Sequence, residues 1–228
     1  MLFVFSGAHS QSPIALLREE FNSLENWRPL YFPKISRHST YTVERNGDES
    51  SLKAESGTSA SAIIYRQEFN VYEYPKVRWR WKINNVYLTT DPETKSGDDY
   101  PIRIYIIFKY NPEKADSLEG FKYGIAKKLY GEYPPHSTLS YVWANNEGQK
   151  TIVTSPYTDK ARLIALKKGG KRVGLWQTEE VNILSDYKKA FGTNPPEVAS
   201  LAIMNDSDNT GQASVSYLDF IEVFRDGG

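Results

Sequence analysis

The sequence predicts an all-β fold, either a sandwich or a barrel, with one or two short helices. About ten short runs alternate apolar and polar residues, which is the pattern of strands with one buried face. Clusters of glycine, asparagine, aspartate and serine separate these runs. Helical patterns of about 10–15 residues, which a parallel α/β sheet needs between its strands, are absent.

The predicted elements follow one another with few long connections. Strands are predicted over Thr40–Arg45, Ser51–Ser56, Ser61–Phe69, Lys76–Ile83, Pro101–Tyr110, Leu139–Asn145, Arg162–Leu166, Leu175–Leu184, Val198–Asn205 and Ala213–Phe224. A short helix is predicted over Asp186–Phe191, because Gly192 closes it. We expect functional residues in the long connections Asp91–Tyr100 and Pro112–Pro135, since long loops on a β scaffold commonly carry function.

The first twenty residues are predicted to be an N-terminal segment ahead of a single β-sandwich domain over residues 21–228. Leu2–Phe5 is apolar, and small residues at positions 6–8 suit a signal-peptidase cleavage site. We interpret this stretch as the remnant of a signal region and expect an exported protein, periplasmic or extracellular; a cytoplasmic protein is the alternative. Residues 12–21 predict a short helix, because apolar residues follow a serine and a proline at helical spacing.

Composition excludes several classes of protein. The chain has 28 Lys and Arg against 28 Asp and Glu, so a strongly basic nucleic-acid-binding protein is excluded by bulk charge. No apolar run approaches the roughly 18 residues of a membrane helix, so no membrane span is predicted. Because there is no cysteine, disulfides, thiol catalysis and thiolate zinc sites are excluded as well.

The predicted strand Lys76–Ile83 separates arginine from tryptophan. Side chains alternate across a strand, which places Trp79 and Trp81 on one face and Arg78 and Arg80 on the other. We expect the tryptophan face to belong to the core.

The next strand repeats this split, with Arg103 and Tyr105 on its polar face. If the two strands are neighbours, three arginines and a tyrosine form one polar surface, with Asp99 and Trp143 at its edge. Arginine matches carboxylates and aromatic rings stack on sugar faces, so this surface would bind an anionic or polyhydroxylated ligand. The alternative is a solvated outer face whose cations pair with acids on neighbouring strands.

Two acidic loops could carry chemistry. Asp98 and Asp99 precede a strand and could bind a metal, act as acid or base, or accept sugar hydroxyls; ordinary turn chemistry is the alternative. Residues 206–211 resemble the front of a calcium loop, with Asp206, Asp208 and Asn209 as candidate ligands. The closing glutamate of such a loop is replaced by tyrosine at position 217. This loop is therefore predicted to be either a hairpin or a calcium site completed by distant residues.

A third acid, Glu180, lies on a predicted strand and has two interpretations. It could pair with Arg78, Arg80 or Arg103 as a structural ion pair. It could also serve as a general acid opposite Asp98 or Asp99, since glycoside cleavage needs two carboxyl groups across the scissile bond.

Short motifs follow one another along nearly the whole chain, from Phe21 to Asp226. In order they are Trp79-Arg80-Trp81-Lys82, Gly97-Asp98-Asp99-Tyr100-Pro101-x-Arg103, Leu139-Ser140-Tyr141-Val142-Trp143, Ser155-Pro156-Tyr157-Thr158, Asp186-Tyr187 with Phe191-Gly192, Pro195-Pro196, and Asp206-x-Asp208-Asn209-Thr210-Gly211. This ordered set resembles an uncharacterised bacterial family, a domain of unknown function. The resemblance implies no established activity, but members of that family commonly look exported.

The last predicted strand, Ser214–Phe224, resembles the closing strand of galactose-binding-like jelly rolls. That resemblance implies a jelly-roll β-sandwich, a carbohydrate ligand and, often, one structural calcium ion. Three functions stay open: binding of a glycan, either neutral or acidic; a carbohydrate-active enzyme, a glycoside hydrolase or lyase, that uses Asp98, Asp99 and Glu180; and a structural or interaction protein of the cell envelope.

Overall fold

The structure, a computed structural model, describes residues 12–88, 91–113, 123 and 133–227. Its strands are Ile14–Glu19 (β1), Trp27–Leu30 (β2), Thr40–Asn46 (β3), Glu49–Gly57 (β4), Ala60–Tyr65 (β5), Phe69–Asn70 (β6), Lys76–Ile83 (β7), Arg103–Phe108 (β8), Ser137–Ala144 (β9), Ile152–Thr154 (β10), Ala161–Lys168 (β11), Gln177–Asn182 (β12), Val198–Asp206 (β13) and Ala213–Arg225 (β14). A 3₁₀ helix covers Lys95–Gly97, and an α-helix, α1, covers Ile183–Phe191.

The strands form two sheets. The first sheet has the order β12-β7-β14-β4-β3, with β1 beside the second half of β14. The second sheet has the order β10-β11-β9-β8-β13-β5-β2, with β6 paired to β13. Its neighbours are antiparallel except β9 and β11, which run parallel. Consecutive strands β13 and β14 lie in different sheets, so the loop between them crosses the sandwich, and the hairpin predicted there is wrong.

The core lies between the sheets and is built from the apolar faces of their strands. Trp79 and Trp81 of β7 are fully buried, as the alternation predicted. Their rings pack against the facing sheet, Trp79 on Tyr141 at 5.5 Å and Trp81 on Trp143 at 5.9 Å between ring centroids. Burial of such large rings contributes most of the favourable hydrophobic energy of a sandwich core. The predicted all-β sandwich with a short helix is confirmed.

The short helix predicted over residues 12–21 is wrong, because Ile14–Glu19 is strand β1. It pairs antiparallel with residues 221–225 of β14. Leu17, Glu19 and Phe21 are the buried residues here, and their spacing of two is that of a strand. Leu17 and Phe21 lie four apart, which fits a helix as well, so pairing with a distant strand decides the outcome. The predicted signal remnant lies outside the described residues.

Helix α1 begins three residues earlier than predicted and ends where predicted. The Asn182 side chain accepts a hydrogen bond from the Ser185 amide at 3.0 Å, which caps the first turn. Gly192 ends the helix with a left-handed φ of 76°, a conformation that favours glycine. Ile183 and Tyr187 are the buried residues of α1, so the helix packs one face on the core. Within the described residues, no helix has the length and apolarity to cross a membrane.

Two strands, β2 and β10, escaped prediction. They have four and three residues and lie at opposite edges of the second sheet. Pro29 in β2 is tolerated because an edge strand leaves one row of its backbone groups unpaired. Such short segments carry too little alternation to be recognised from sequence.

Candidate functional site

The predicted arginine surface is divided between two faces of the molecule. β7 lies in the first sheet and β8 in the second, and their apolar faces meet across the core. Arg78 and Arg80 therefore lie on the outer face of the first sheet, whereas Arg103 and Tyr105 lie on the outer face of the second. The expectation of one shared surface is wrong, because alternation assigns the faces of each strand but not the sheet that the strand joins.

Arg78 and Arg80 are neutralised by acids of neighbouring strands. The Arg78 Nη2 donates to Glu222 of β14 at 2.7 Å, and its Nη1 lies 3.8 Å from Glu180 of β12. The Arg80 Nη1 donates to Asp219 of β14 at 3.0 Å. For these two residues the alternative prediction of a solvated, internally paired face is confirmed, and so is the predicted pairing of Glu180 with arginine.

Arg103 is buried and forms ion pairs with two carboxylates. Its side chain is 4% exposed. The Nε donates to Asp206 at 2.8 Å and the Nη1 to Asp98 at 3.1 Å, while the Nη2 contacts Asp206 and the backbone carbonyl of Asp98. This guanidinium therefore ties the end of β13 to the loop before β8, and four of its five N–H donors are already used.

A groove of about 630 Å³ runs over the outer face of the second sheet. Five neighbouring strands supply its floor through Ala60 of β5, Met204 of β13, Tyr105 of β8, Ser140 of β9 and Leu163 of β11. Ser140 lies opposite Tyr105 and Leu163 in register, whereas Met204 and Ala60 are each offset by two positions along their strands. The residues next to Tyr105 and Ser140 in the sequence face the core. Mostly small or apolar side chains leave a shallow trough along this face.

Two loops wall the groove with aromatic and polar groups. Phe32 and Ile35 follow β2 on one side, and Ser155 and Tyr157 lie on the other. Tyr157 is 53% exposed, and its hydroxyl donates to the side-chain Oδ1 of Asn209 at 2.9 Å. Sequence reasoning missed Phe32, Tyr157 and Ser140 as site residues. Tyr157 and Ser140 do lie in motifs of the family resemblance, which was the available signal.

Ser140 carries an unsatisfied hydroxyl on the groove floor. The residue is 2% exposed, and its Oγ makes no hydrogen bond of normal geometry to a described residue, with the Tyr105 hydroxyl as a neighbouring polar group. A buried hydroxyl without a partner costs free energy, about 1–3 kcal/mol in typical cases. A ligand hydroxyl or a water molecule in the groove would remove that cost.

One end of the groove is acidic. We call Asp98, Asp99, Asp206 and Asp208 the carboxylate cluster. The first two come from the loop before β8, Asp206 ends β13, and Asp208 lies on the loop that crosses to β14. Asp98, Asp206 and Asp208 line the groove. Asp99 is fully buried behind them, where it accepts hydrogen bonds from the Asn209 amide at 3.0 Å and the Thr210 backbone N–H at 2.6 Å.

Burial and mutual repulsion make ionisation of the cluster costly. Burial raises the pKa of Asp206 to about 7, with Asp99 and Asp98 adding to the shift and Arg103 opposing it. Burial likewise raises the pKa of Asp98, against the charge of Arg103. The pKa of Asp208 is also raised, first by burial and then by the negative charge of Asp99. The cluster is therefore short of positive charge.

Three members of the cluster could hold one metal ion. Among the described residues, ligand oxygens of Asp99, Asp206 and Asp208 lie within 4.8 Å of one another. Calcium prefers such carboxylate oxygens, so the residues fit in type and spacing. Asp206 and Asp208 belong to the predicted ligand set, and the side chain of the third predicted ligand, Asn209, hydrogen-bonds Asp99 and Tyr157 beside them. Asp99 joins these residues from a separate loop.

Two other predicted site residues lie away from the groove. Glu180 lies on the outer face of the first sheet, so it cannot act with Asp98 or Asp99 across one bond, and that catalytic pairing is wrong. Trp143 is fully buried in the core, where its indole N–H donates to the Gly169 carbonyl at 3.1 Å. Its predicted position at a ligand-binding edge is wrong as well, because that side of β9 faces the first sheet.

Comparison with solved structures finds other β-sandwiches. A family 11 carbohydrate-binding module from Clostridium thermocellum, in complex with a mixed-linked tetrasaccharide, has a TM-score of 0.48 and 11% identity, and the alignment covers 94% of this chain and 96% of that one. The Emp47p carbohydrate recognition domain has a TM-score of 0.44 and 13% identity over 88% and 89% of the two chains. For Trichoderma harzianum endoglucanase 3 these values are 0.42 and 9%, over 88% and 99%. At such values the likeness is one of architecture, and ligand chemistry has to be inferred from this chain's own residues.

Sequence comparison places the chain in a family. A search of curated protein sequences found no match. A family model described as "Protein of unknown function (DUF3047)" matches residues 25–222, which include both sheets, the groove and the carboxylate cluster. Because this match spans most of the chain, the protein belongs to the DUF3047 family.

Proposed function

We propose that this protein binds a glycan in the groove over the second sheet. A pyranose ring has apolar C–H faces and a rim of hydroxyls, and the groove offers a counterpart to each. Phe32 and Tyr157 provide aromatic surfaces, and Ser140 and the carboxylate cluster provide polar atoms. The observation that carries the proposal is an open groove that combines aromatic walls with an unsatisfied buried hydroxyl on its floor.

The charges of the groove argue against an acidic glycan. Arg103 is the one guanidinium among the lining residues, and it is bound by Asp98 and Asp206. An added uronate or sulfate group would lie beside carboxylates that already repel one another. We therefore propose a ligand without negative charge, which excludes the acidic glycan that the sequence left open beside a neutral one.

The test is a glycan array followed by titration calorimetry on the full chain. We expect Phe32→Ala combined with Tyr157→Ala to weaken binding of the best array ligand by about tenfold or more, since both stacking surfaces are lost. Trp176→Ala is the matched control, because Trp176 lies on the outer face of the first sheet beside Arg80 and Lys82.

Two outcomes would contradict the proposal. If the double variant keeps full affinity with an unchanged Tm, the groove is not the binding site. If the folded wild-type protein binds no glycan on a broad array, glycan binding is not its function.

We also propose that calcium occupies the position between Asp99, Asp206 and Asp208. The support is the spacing of their oxygens and the shortage of positive charge around them. When bound, the ion would supply charge neutralisation and link the two loops that carry these residues.

A further inference from the structure

We infer that the glycan of this groove carries a primary ammonium group, as an amino sugar does, and that this group docks against Asp98 and Asp208. The inference rests on the glycan-binding function proposed above and names the class of sugar. It starts from three properties of the acidic end of the groove, which are its charge balance, its free acceptors and its poor hydration.

The charge balance at this end is negative. The cluster holds four carboxylates, and Arg103 is the guanidinium that contacts them. With all four carboxylates ionised, even one divalent ion between Asp99, Asp206 and Asp208 would leave the cluster with an excess negative charge. Among the described residues, Asp208 forms no ion pair.

Free acceptor atoms face the groove. The Asp98 Oδ1 accepts from Arg103, but no described residue donates to its Oδ2. Asp208 lines the groove beside it, and among the described residues its carboxylate accepts a hydrogen bond only from its own backbone N–H. An ammonium group brings three N–H donors and a full positive charge, which suits two adjacent carboxylates with unused oxygens.

Poor hydration makes this contact selective. Asp98 is 4% exposed, so water stabilises its charge poorly, and a charged hydrogen bond there is stronger than at the surface. The rest of the groove is suited to a neutral sugar ring, because Leu163, Met204 and Phe32 are apolar and Ser140 offers one hydroxyl. A glycan with uncharged rings and a cationic substituent matches both the acidic end and the rest of the groove.

The groove also contains a positive group, whose removal should change the affinity in the opposite direction to removal of a carboxylate. Lys34 lines the wall that carries Phe32, and its side chain is exposed. Removal of this charge should favour a cationic ligand, whereas removal of the Asp208 charge should disfavour it.

The probes are three β-1,4-linked tetramers, of glucosamine, N-acetylglucosamine and glucose, which share length and linkage and differ at carbon 2. We expect the full chain, at neutral pH and low salt, to bind the glucosamine tetramer about tenfold more tightly than the other two. Asp208→Asn should weaken that binding about tenfold, and Lys34→Ala should strengthen it. Asp219→Asn, on the opposite face of the sandwich, should leave it unchanged. The preference should shrink in high salt, because ions screen the contact.

The alternative outcomes are distinct. Equal affinity for the three tetramers overturns the ammonium inference and leaves glycan binding intact. Binding of the glucose tetramer that requires calcium and shows no preference also overturns it, since the metal then supplies the positive charge. If none of the tetramers binds, the inference is overturned, and the glycan array decides separately whether the protein binds any glycan. A preference that Asp208→Asn does not change places the ammonium elsewhere and refutes the proposed docking site.

Discussion

Asp206 titrates far from the pH at which an unfolded aspartate does. Burial raises its pKa to about 7 in the folded protein, whereas the value in an unfolded chain is about 3.9. Between these two values the folded state binds a proton that the unfolded state does not, so stability falls as the pH rises. We therefore expect the Tm of the metal-free protein, measured in chelator, to rise when the pH is lowered from about 8 to about 6.

Asp208 provides the variant for that experiment. Its pKa is raised, so the ionised form costs the folded state stability, and Asp208→Asn should raise the Tm at high pH. The gain should shrink as the pH falls towards about 4 and vanish below about 3, where the aspartate is protonated in both states. Asp159→Asn, at an exposed loop position, is the control. A gain that stays constant with pH would show that repulsion is not its cause.

At the residue scale, sequence reasoning succeeded where the information was local. Alternation along one strand placed Trp79 and Trp81 inside and Arg78 and Arg80 outside, and the structure agrees. It failed for Arg103, because the sheet that receives a strand depends on distant partners. The proximity of Asp99 to Asp206 and Asp208 could not be predicted for the same reason. The backbone N–H of Tyr100, the residue after Asp99, donates to Asp206 across 106 positions of sequence.

At the scale of elements, the loop with the 3₁₀ helix positions two members of the carboxylate cluster. Gly97 precedes Asp98, and a Cβ at Gly97 would lie 2.1 Å from the carbonyl oxygen of Asp91. We expect Gly97→Ala to force the loop open and to cost more than about 1 kcal/mol of the free energy of unfolding, as overpacked sites do. Chemical denaturation would measure this cost.

Gly170→Ala is the matched control for that variant. A Cβ at Gly170 would meet no atom within 4 Å, and its φ is an ordinary one, so its substitution should leave stability nearly unchanged. If Gly97→Ala were as stable as wild type, the tight contact would not constrain the loop.

Element prediction failed where a segment's partner overrides its own pattern. Residues 14–19 have a helical start and compatible apolar spacing, yet they pair with β14 as a strand. The 206–212 loop has hairpin chemistry, yet its two strands diverge into different sheets. In both cases the deciding hydrogen bonds are made to strands far along the chain, which local propensity does not report.

At the scale of the whole molecule, the proposed calcium would connect the two sheets. Asp206 ends β13 of the second sheet, and Asp99 lies on the loop before β8 of the same sheet. Asp208 lies on the loop that leads into β14 of the first sheet. If the ion binds only the folded state, it adds about 2.7 kcal/mol to the free energy of unfolding when its concentration is 100 times its Kd. For a chain of this length that corresponds to a rise in Tm of about 2–4 °C per kcal/mol.

Differential scanning calorimetry with calcium and with chelator would measure this shift. Asp99→Asn should abolish the response, while Asp159→Asn should keep it. An identical Tm in calcium and in chelator for the wild-type protein would refute the calcium proposal.

The path of β14 also determines when the first sheet can assemble. This strand lies between β7 on one edge and β4 and β1 on the other, yet it follows every other described strand in the sequence. The side chains of Arg18 in β1 and Glu222 in β14 meet across 204 positions of chain. Contacts of such separation form slowly. The central position of the first sheet therefore stays empty until residues 213–225 have left the ribosome, so this sheet can close only after every described strand of the second sheet has been synthesised.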